Sequence, residues 1–194
     1  VFVNPAQATE QPARARQQAA QLHMQARNIM DARAVVWRCQ DRLGVSRSRA
    51  SVSGWALPSS IPYRAWVLDR WQKRSSDCLE ALRNRTIPAT NDWQTAVALV
   101  QRIYPGTAGW LLSISDREGG HGGFVMNHQG SGAGGWMQFM ASTYYAHNDD
   151  AYADARRRGF IIDPSTNSWT HPLGQAITAG YMRYTGRDGC HWCL

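Results

Sequence analysis

The stretch Ser115–Tyr145 reads SDREGGHGGFVMNHQGSGAGGWMQFMASTYY. Glu118 heads thirty residues, Gly119 to Asn148, that contain no Asp, Glu, Lys or Arg, and eight of the first seventeen are glycine. Before it, Trp110, Leu111, Leu112, Ile114 and Ser115 predict a mostly buried helix that runs up to Glu118 and ends at Gly119-Gly120. A carboxyl there meets the negative end of the helix dipole, which disfavours its charged form. Apolar cover from Trp136, Met137, Phe139 or Met140 would act in the same direction. A carboxyl kept protonated near neutral pH is a general acid. Glycines without Cβ atoms let a backbone lie against a bulky ligand, and the missing charges fit a neutral, sugar-like one.

Other chemistries fit the same stretch poorly. Gly130-Ser131-Gly132-Ala133-Gly134-Gly135 begins as a dinucleotide fingerprint would, but its last glycines are misplaced and no strand precedes it. His121, His128 and His147 share no spacing with a zinc helix or knuckle, so no metal site is expected.

Outward from this window, the rest of the chain reads as mainly α. Ala8, Ala15, Leu22, Ile29, Val36 and Leu43 recur every seven residues over 8–43, with Met30 and Trp37 beside the seam, and Gly44 is a plausible stop. Residues 45–61 read as a loop. Pro62 opens a second helix to about Arg85, with Tyr63, Trp66, Val67, Trp71, Cys78 and Leu82 as its apolar members. The simplest arrangement of the two helices is an antiparallel hairpin, with Cys39–Cys78 as a candidate tie. Residues 86–90, TIPAT, read as a linker, and Asn91 as the cap of a helix over Asp92–Tyr104. Ser142 to about Arg158 is partly helical, and a last helix runs from Pro172 to Gly186. Strands are few: Gly122–Met126 and the Gly135 region suit a short hairpin. Two domains are expected, 1–86 as a basic helical hairpin and 87–194 carrying the Glu118 site.

Charge divides the chain in the same way. Residues 1–100 hold fourteen Lys+Arg against seven Asp+Glu, and residues 101–194 hold seven of each. The basic half suits an anionic wall polymer or a larger assembly. Nucleic acid is disfavoured, because the arginine-dense 14–49 stretch has little aromatic interleaving. The four cysteines, Cys39, Cys78, Cys190 and Cys193, read most economically as two disulfides in one of three connectivities, in an oxidising compartment. Half a zinc site or a redox CxxC at Cys190–Cys193 is the weaker reading. No run of about 18 apolar residues is present, so no membrane-spanning helix is expected.

Asp116-Arg117-Glu118-Gly119-Gly120, followed by Gly134-Gly135-Trp136-Met137-Gln138-Phe139-Met140-Ala141-Ser142-Thr143, resembles the lysozyme-like lytic transglycosylases. Those carry an E-S or E-S-G-G element and then G-L-M-Q-[FL]-M-P-x-T. The likeness is nearest to the actinobacterial secreted branch, beside resuscitation-promoting factors and phage muralytic domains. Asn127 and Ser131-Gly132-Ala133 match its N-x-S-G-A-x-G lead-in, and the Pro172–Tyr184 segment its closing Q-I-x-x-A-x-x-Y, with Gly186 and Trp192 after it. The resemblance covers about 92–194 and implies an α+β lysozyme-like domain with a very small β element.

It implies that Glu118 is the single catalytic acid/base for the MurNAc–GlcNAc β-1,4 bond of peptidoglycan. It implies that Gln138 contacts substrate or orients the acid, that Tyr181 is the late tyrosine of the groove, and that Asn127, Gly135 and Trp136 line it. No cofactor is implied, and the location is secreted, wall-associated or, for a phage protein, in the virion. Gly119 stands where the family has serine and Ala141 where it has proline. The orienting partner of the acid is then open, with Ser115 or a tyrosine as substitutes. A water held by Asp149, Asp150 or Asp163 opposite Glu118 would make the site a hydrolase, and a groove that only binds glycan is the third outcome.

Overall fold

A computed structural model of the chain describes residues 5–49, 57, 58, 60–120 and 123–189. His121, Gly122 and Cys190–Cys193 lie outside the described residues, as does the side chain of Ala8. The fold is mainly α, with six helices and a few two-residue strands among the described residues: α1 (Pro5–Leu43), α2 (Ile61–Arg85), β1 (Thr86–Ile87), α3 (Trp93–Ile103), α4 (Ala108–Arg117), β2 (Ala133–Gly134), β3 (Phe139–Met140), α5 (Ala141–Arg157), β4 (Ile161–Ile162) and α6 (Pro172–Thr185). They form two compact units, 1–84 and 85–194. No described helix is long and apolar enough to cross a membrane.

In the first unit the heptad stripe is buried only in its later part. Ile29 and Val36 meet Trp71 and Leu57 in one apolar cluster, whereas Ala15 is exposed. Gly44 takes φ +67° and ends α1. Cys39 and Cys78 are joined by a disulfide.

The two helices run parallel, which corrects the antiparallel hairpin. Arg64, at the start of α2, donates from Nη1 to the Leu22 carbonyl at 2.8 Å, and Gln25 Nε2 donates to the Ile61 carbonyl at 3.3 Å. The disulfide then joins Cys39, seventeen residues beyond Leu22, to Cys78, fourteen residues beyond Arg64. Both contact points advance in the same direction. Ser48 accepts from Trp37 Nε1 at 2.8 Å, and Leu57, further along the chain, joins Ile29 in the apolar cluster. At roughly 3.3 Å per extended residue, the seventeen residues 44–60 are long enough to travel back along the helix. Arg64 fixes the far end: it is buried, and its Nε and Nη2 donate to the carbonyls of Pro58 and Leu57 at 3.0 and 2.8 Å. Tyr63 and Trp66, expected among the packed apolar members of α2, are 43% and 54% exposed.

The second unit is organised around α6, in which Pro172 to Met182 are all buried. A helix apolar on every side must be enclosed, and α3, α4 and α5 enclose this one. Gly180 permits a close approach of α3, since a Cβ there would lie 2.7 Å from Val100 Cγ1. Asp92, rather than Asn91, caps α3: its Oδ2 accepts from the Thr95 N–H at 2.7 Å. Residues 86–90 are more than a linker, because β1 pairs in parallel with β4, Thr86 beside Ile161. Met126 bridges Gly134, and β2 pairs antiparallel with β3, so the charge-free window folds into a small meander.

Candidate functional site

Glu118 is the C-cap of α4, and its N–H donates to the Ile114 carbonyl at 2.9 Å. The next residue, Gly119, turns left-handed at φ +77°, and the Gly120 N–H returns to the Ser115 carbonyl at 2.9 Å. These two features make a Schellman cap, in which a residue with a Cβ is disfavoured at the left-handed position. Glycine at position 119 thus follows from how this helix stops. Gly120 has a different reason. A Cβ on it would lie 2.6 Å from Trp136 Cα, so the turn after the acid rests on the backbone of the Gly135–Trp136 segment.

That segment is held from below by Gln175, which is fully buried on α6. Gln175 Oε1 accepts from the Met137 N–H at 3.1 Å, while Nε2 donates to the carbonyls of Gly134 at 3.1 Å and Trp169 at 2.7 Å. Gly135 has φ +81°, and a Cβ on it would collide with the Gln175 amide. A run of rings supports the same region: Trp93 stacks on Trp136 at 5.8 Å and 9°, and Phe124 meets both Trp136 and Trp169 edge-on.

A half-open cavity of about 450 Å³ lies over this scaffold, and Glu118, Asn127 and Gln138 line it together with Arg117 and His128. Gln138 holds a left-handed backbone, φ +47°, which is uncommon for a residue with a side chain. Its Nε2 donates to the carbonyls of Val125 and Gly135, each at 3.0 Å, so the side chain ties the two neighbouring segments together and keeps Oε1 as the group it can offer a ligand. Asn127 accepts from the Gln129 N–H through Oδ1 at 2.7 Å, which leaves its amide N–H₂ for a partner.

The other expected site residues are placed differently. Trp136 lines a neighbouring cavity of about 240 Å³ with Asn91, Gln94 and Asp116. Gly135 is buried and serves the turn. Tyr181 is buried against Tyr104, ring centroids 6.2 Å apart, and lines neither cavity. Trp136, Met137 and Phe139 belong to the core, and Glu118 is itself exposed, so the apolar cover expected over the acid is not supplied by them. Ser115 is committed elsewhere: its Oγ accepts from Trp93 Nε1 at 2.9 Å and donates to the Leu112 carbonyl.

Glu118 is the one carboxylate among the described residues that line its cavity. Asp116 faces the neighbouring one. Asp149 accepts from Asn167 Nδ2 at 3.2 Å, and Asp150 pairs with Arg187 at 2.9 Å. Asp163 caps the turn at Pro164–Thr166, and the Ser165 N–H that it accepts holds its carboxyl below the usual carboxylate range. Among the described residues no three His, Cys, Asp or Glu side chains are grouped to hold a metal ion.

Gln175 lies within the closing Pro172–Tyr184 segment, and its sequence position alone did not mark it as the staple beneath the loop. The available signal was a glutamine among the mostly apolar residues of the last helix, since a buried amide must find partners. No family model matches the chain, nor does any curated protein or solved structure.

Proposed function

We propose that residues 85–194 cleave the MurNAc–GlcNAc bond of peptidoglycan as a lytic transglycosylase, with Glu118 as the only acid/base. The observation that carries this reading is the placement of Glu118. It sits at the end of α4, in an open cavity with Asn127 and Gln138 and with no second carboxylate among the described lining residues. A glycosidase that activates a water needs a second carboxylate within about 5–10 Å. A site with a single acid suits the reaction in which the sugar supplies its own nucleophile. Glu118 donates its proton to the bridging oxygen as the C1–O bond breaks, and the substrate's N-acetyl group steadies the cation. The C6 hydroxyl of the muramic residue then bonds to C1, and its proton returns to Glu118. The amide groups of Asn127 and Gln138 are placed to hold the neutral sugar substituents beside it.

The disulfide suits an oxidising location, and the reading places the protein outside the cell, at the wall or in a virion. The exposure of Glu118 favours a second reading, a groove that binds glycan without cleaving it.

Mass spectrometry of fragments from purified peptidoglycan separates these outcomes. Termini lighter by one water, released by the parent and lost in Glu118→Gln, support the lyase. Reducing termini at full mass identify a hydrolase. Glycan retention without fragments, equal for both proteins, supports the binding groove.

A further inference from the structure

The first unit carries its own cavity, of about 310 Å³, which owes nothing to Glu118. Arg33 of α1, Arg49, and Tyr63, Trp66, Arg70 and Arg74 of α2 line it, over a floor of Ile29, Leu57 and Trp71. No acidic side chain is among the lining residues, and none of the four arginines takes part in an ion pair among the described residues. Arg33 has a buried Nε with no hydrogen-bond acceptor among the described residues. Guanidinium groups alternate with rings: Arg70 lies 5.2 Å from the centre of Trp66, and Arg74 5.0 Å from that of Trp71. Tyr63 and Trp66 are stacked at 5.9 Å and 29° and remain substantially exposed.

Among the described lining residues every polar side chain is a hydrogen-bond donor, and only the Tyr63 hydroxyl also accepts. Sugar hydroxyls need acceptors as well as donors, so a neutral glycan is poorly served. A ligand of pure acceptors joined to flat apolar groups is well served. Phosphates supply the acceptors and unpaired bases the flat groups. A base inside a duplex has no free face, which restricts the ligand to a single strand. We propose that the arginine–aromatic face of residues 1–84 binds single-stranded nucleic acid. Its bases stack on Trp66 and Tyr63, and its phosphates lie against Arg33, Arg49, Arg70 and Arg74. The aromatic interleaving missing from the 14–49 sequence is supplied by α2 itself, where Trp66 and Arg70, and Trp71 and Arg74, lie one helical turn apart, with Arg33 of α1 and Arg49 lining the same cavity.

The test is fluorescence anisotropy of a labelled oligothymidylate with the full chain. An abasic strand of equal length serves as the base-free control, and a glycerol-phosphate polymer and anionic vesicles serve as competitors. The oligothymidylate is expected to bind at least about 10-fold more tightly than the abasic strand, as stacking of even one or two bases would give. Trp66→Ala is expected to weaken the former by about 5- to 100-fold and leave the latter unchanged, and Trp66→Phe to restore most of the difference. With four cations engaged, log K should fall against log salt with a slope of about −3, and Arg70→Ala should bring it to about −2. Equal binding of the two strands overturns the proposal in favour of a base-blind polyanion site. Preference for the glycerol-phosphate polymer or for vesicles overturns it in favour of wall or lipid docking, and absence of binding overturns it outright.

Discussion

Residues 1–84 keep two helices side by side with a small apolar cluster, one disulfide and one buried arginine, whereas residues 85–194 enclose a single helix on all sides. The contrast follows from how much apolar surface each unit can remove from water. Ile29, Val36, Leu57 and Trp71 are few for a helix of 39 residues, and small cores are commonly supplemented by covalent links. The second unit buries a much larger apolar cluster. It uses its one fully buried glutamine for a different purpose, to hold a loop. Arg64 and Gln175 therefore make a pair: each ties irregular backbone to a helix by three hydrogen bonds, and each is buried because those bonds replace water.

The comparison can be broken most forcefully at Gln175. Gln175→Leu keeps the volume but orphans a buried N–H and two carbonyls. At about 1–3 kcal/mol for each unsatisfied group, the loss is about 3–9 kcal/mol. Urea unfolding followed by hydrogen exchange should show it in α6 and the 134–139 segment. If α6 stays fully protected, the staple is not what holds that loop.

Next is the disulfide. In the chain-entropy account, closing the segment between Cys39 and Cys78, a separation of 39, contributes about 4 kcal/mol. The Cys39→Ser/Cys78→Ser double variant should therefore lose protection in α1 and α2 while α6 is unchanged. Equal loss in both units would erase the distinction drawn above.

The adjacent glycines after the acid sharpen it on a smaller scale. Gly120→Ala drives a Cβ to 2.6 Å from Trp136 Cα and should cost about 1–3 kcal/mol. Gly119→Ala meets open space and should cost only about 1 kcal/mol, for the left-handed backbone. Reversal of that order in urea midpoints would mean that the turn does not rest on Trp136.

The smallest effect is one of pH. His171 caps α6 by accepting the Leu173 N–H at Nδ1, 3.2 Å away, and burial holds its imidazole below the ordinary histidine value. The unfolded chain then binds the proton more readily than the folded one. The cap's contribution is complete above about pH 6.5 and declines as pH falls below that. His171→Asn, which caps without titrating, should flatten the stability profile of the second unit between pH 5 and 7.

The helices were legible because their signals are local. Gly44, Gly119 and Gly186 mark stops that the structure realises as left-handed residues, and Pro172 opens the helix it was expected to open. Glu118, Asn127 and Gln138 were legible as site candidates from a motif, and one cavity holds all three. Tyr181 came from the same motif yet packs in the core, because a helix enclosed on every side has no face left for a groove.

The direction of α2 was illegible for a plain reason. A heptad stripe says that a helix has a partner and says nothing of the partner's direction, and the connection over 44–60 is long enough for either. Composition and local spacing by themselves determined the six helices, the division of charge, the helix stop at Glu118 and the charge-free window after it. Only tertiary packing decided that α1 and α2 run parallel and that Gln175 carries the loop beneath the acid. Those outcomes depend on which buried polar groups find partners far away in the chain, and no short-range pattern encodes that.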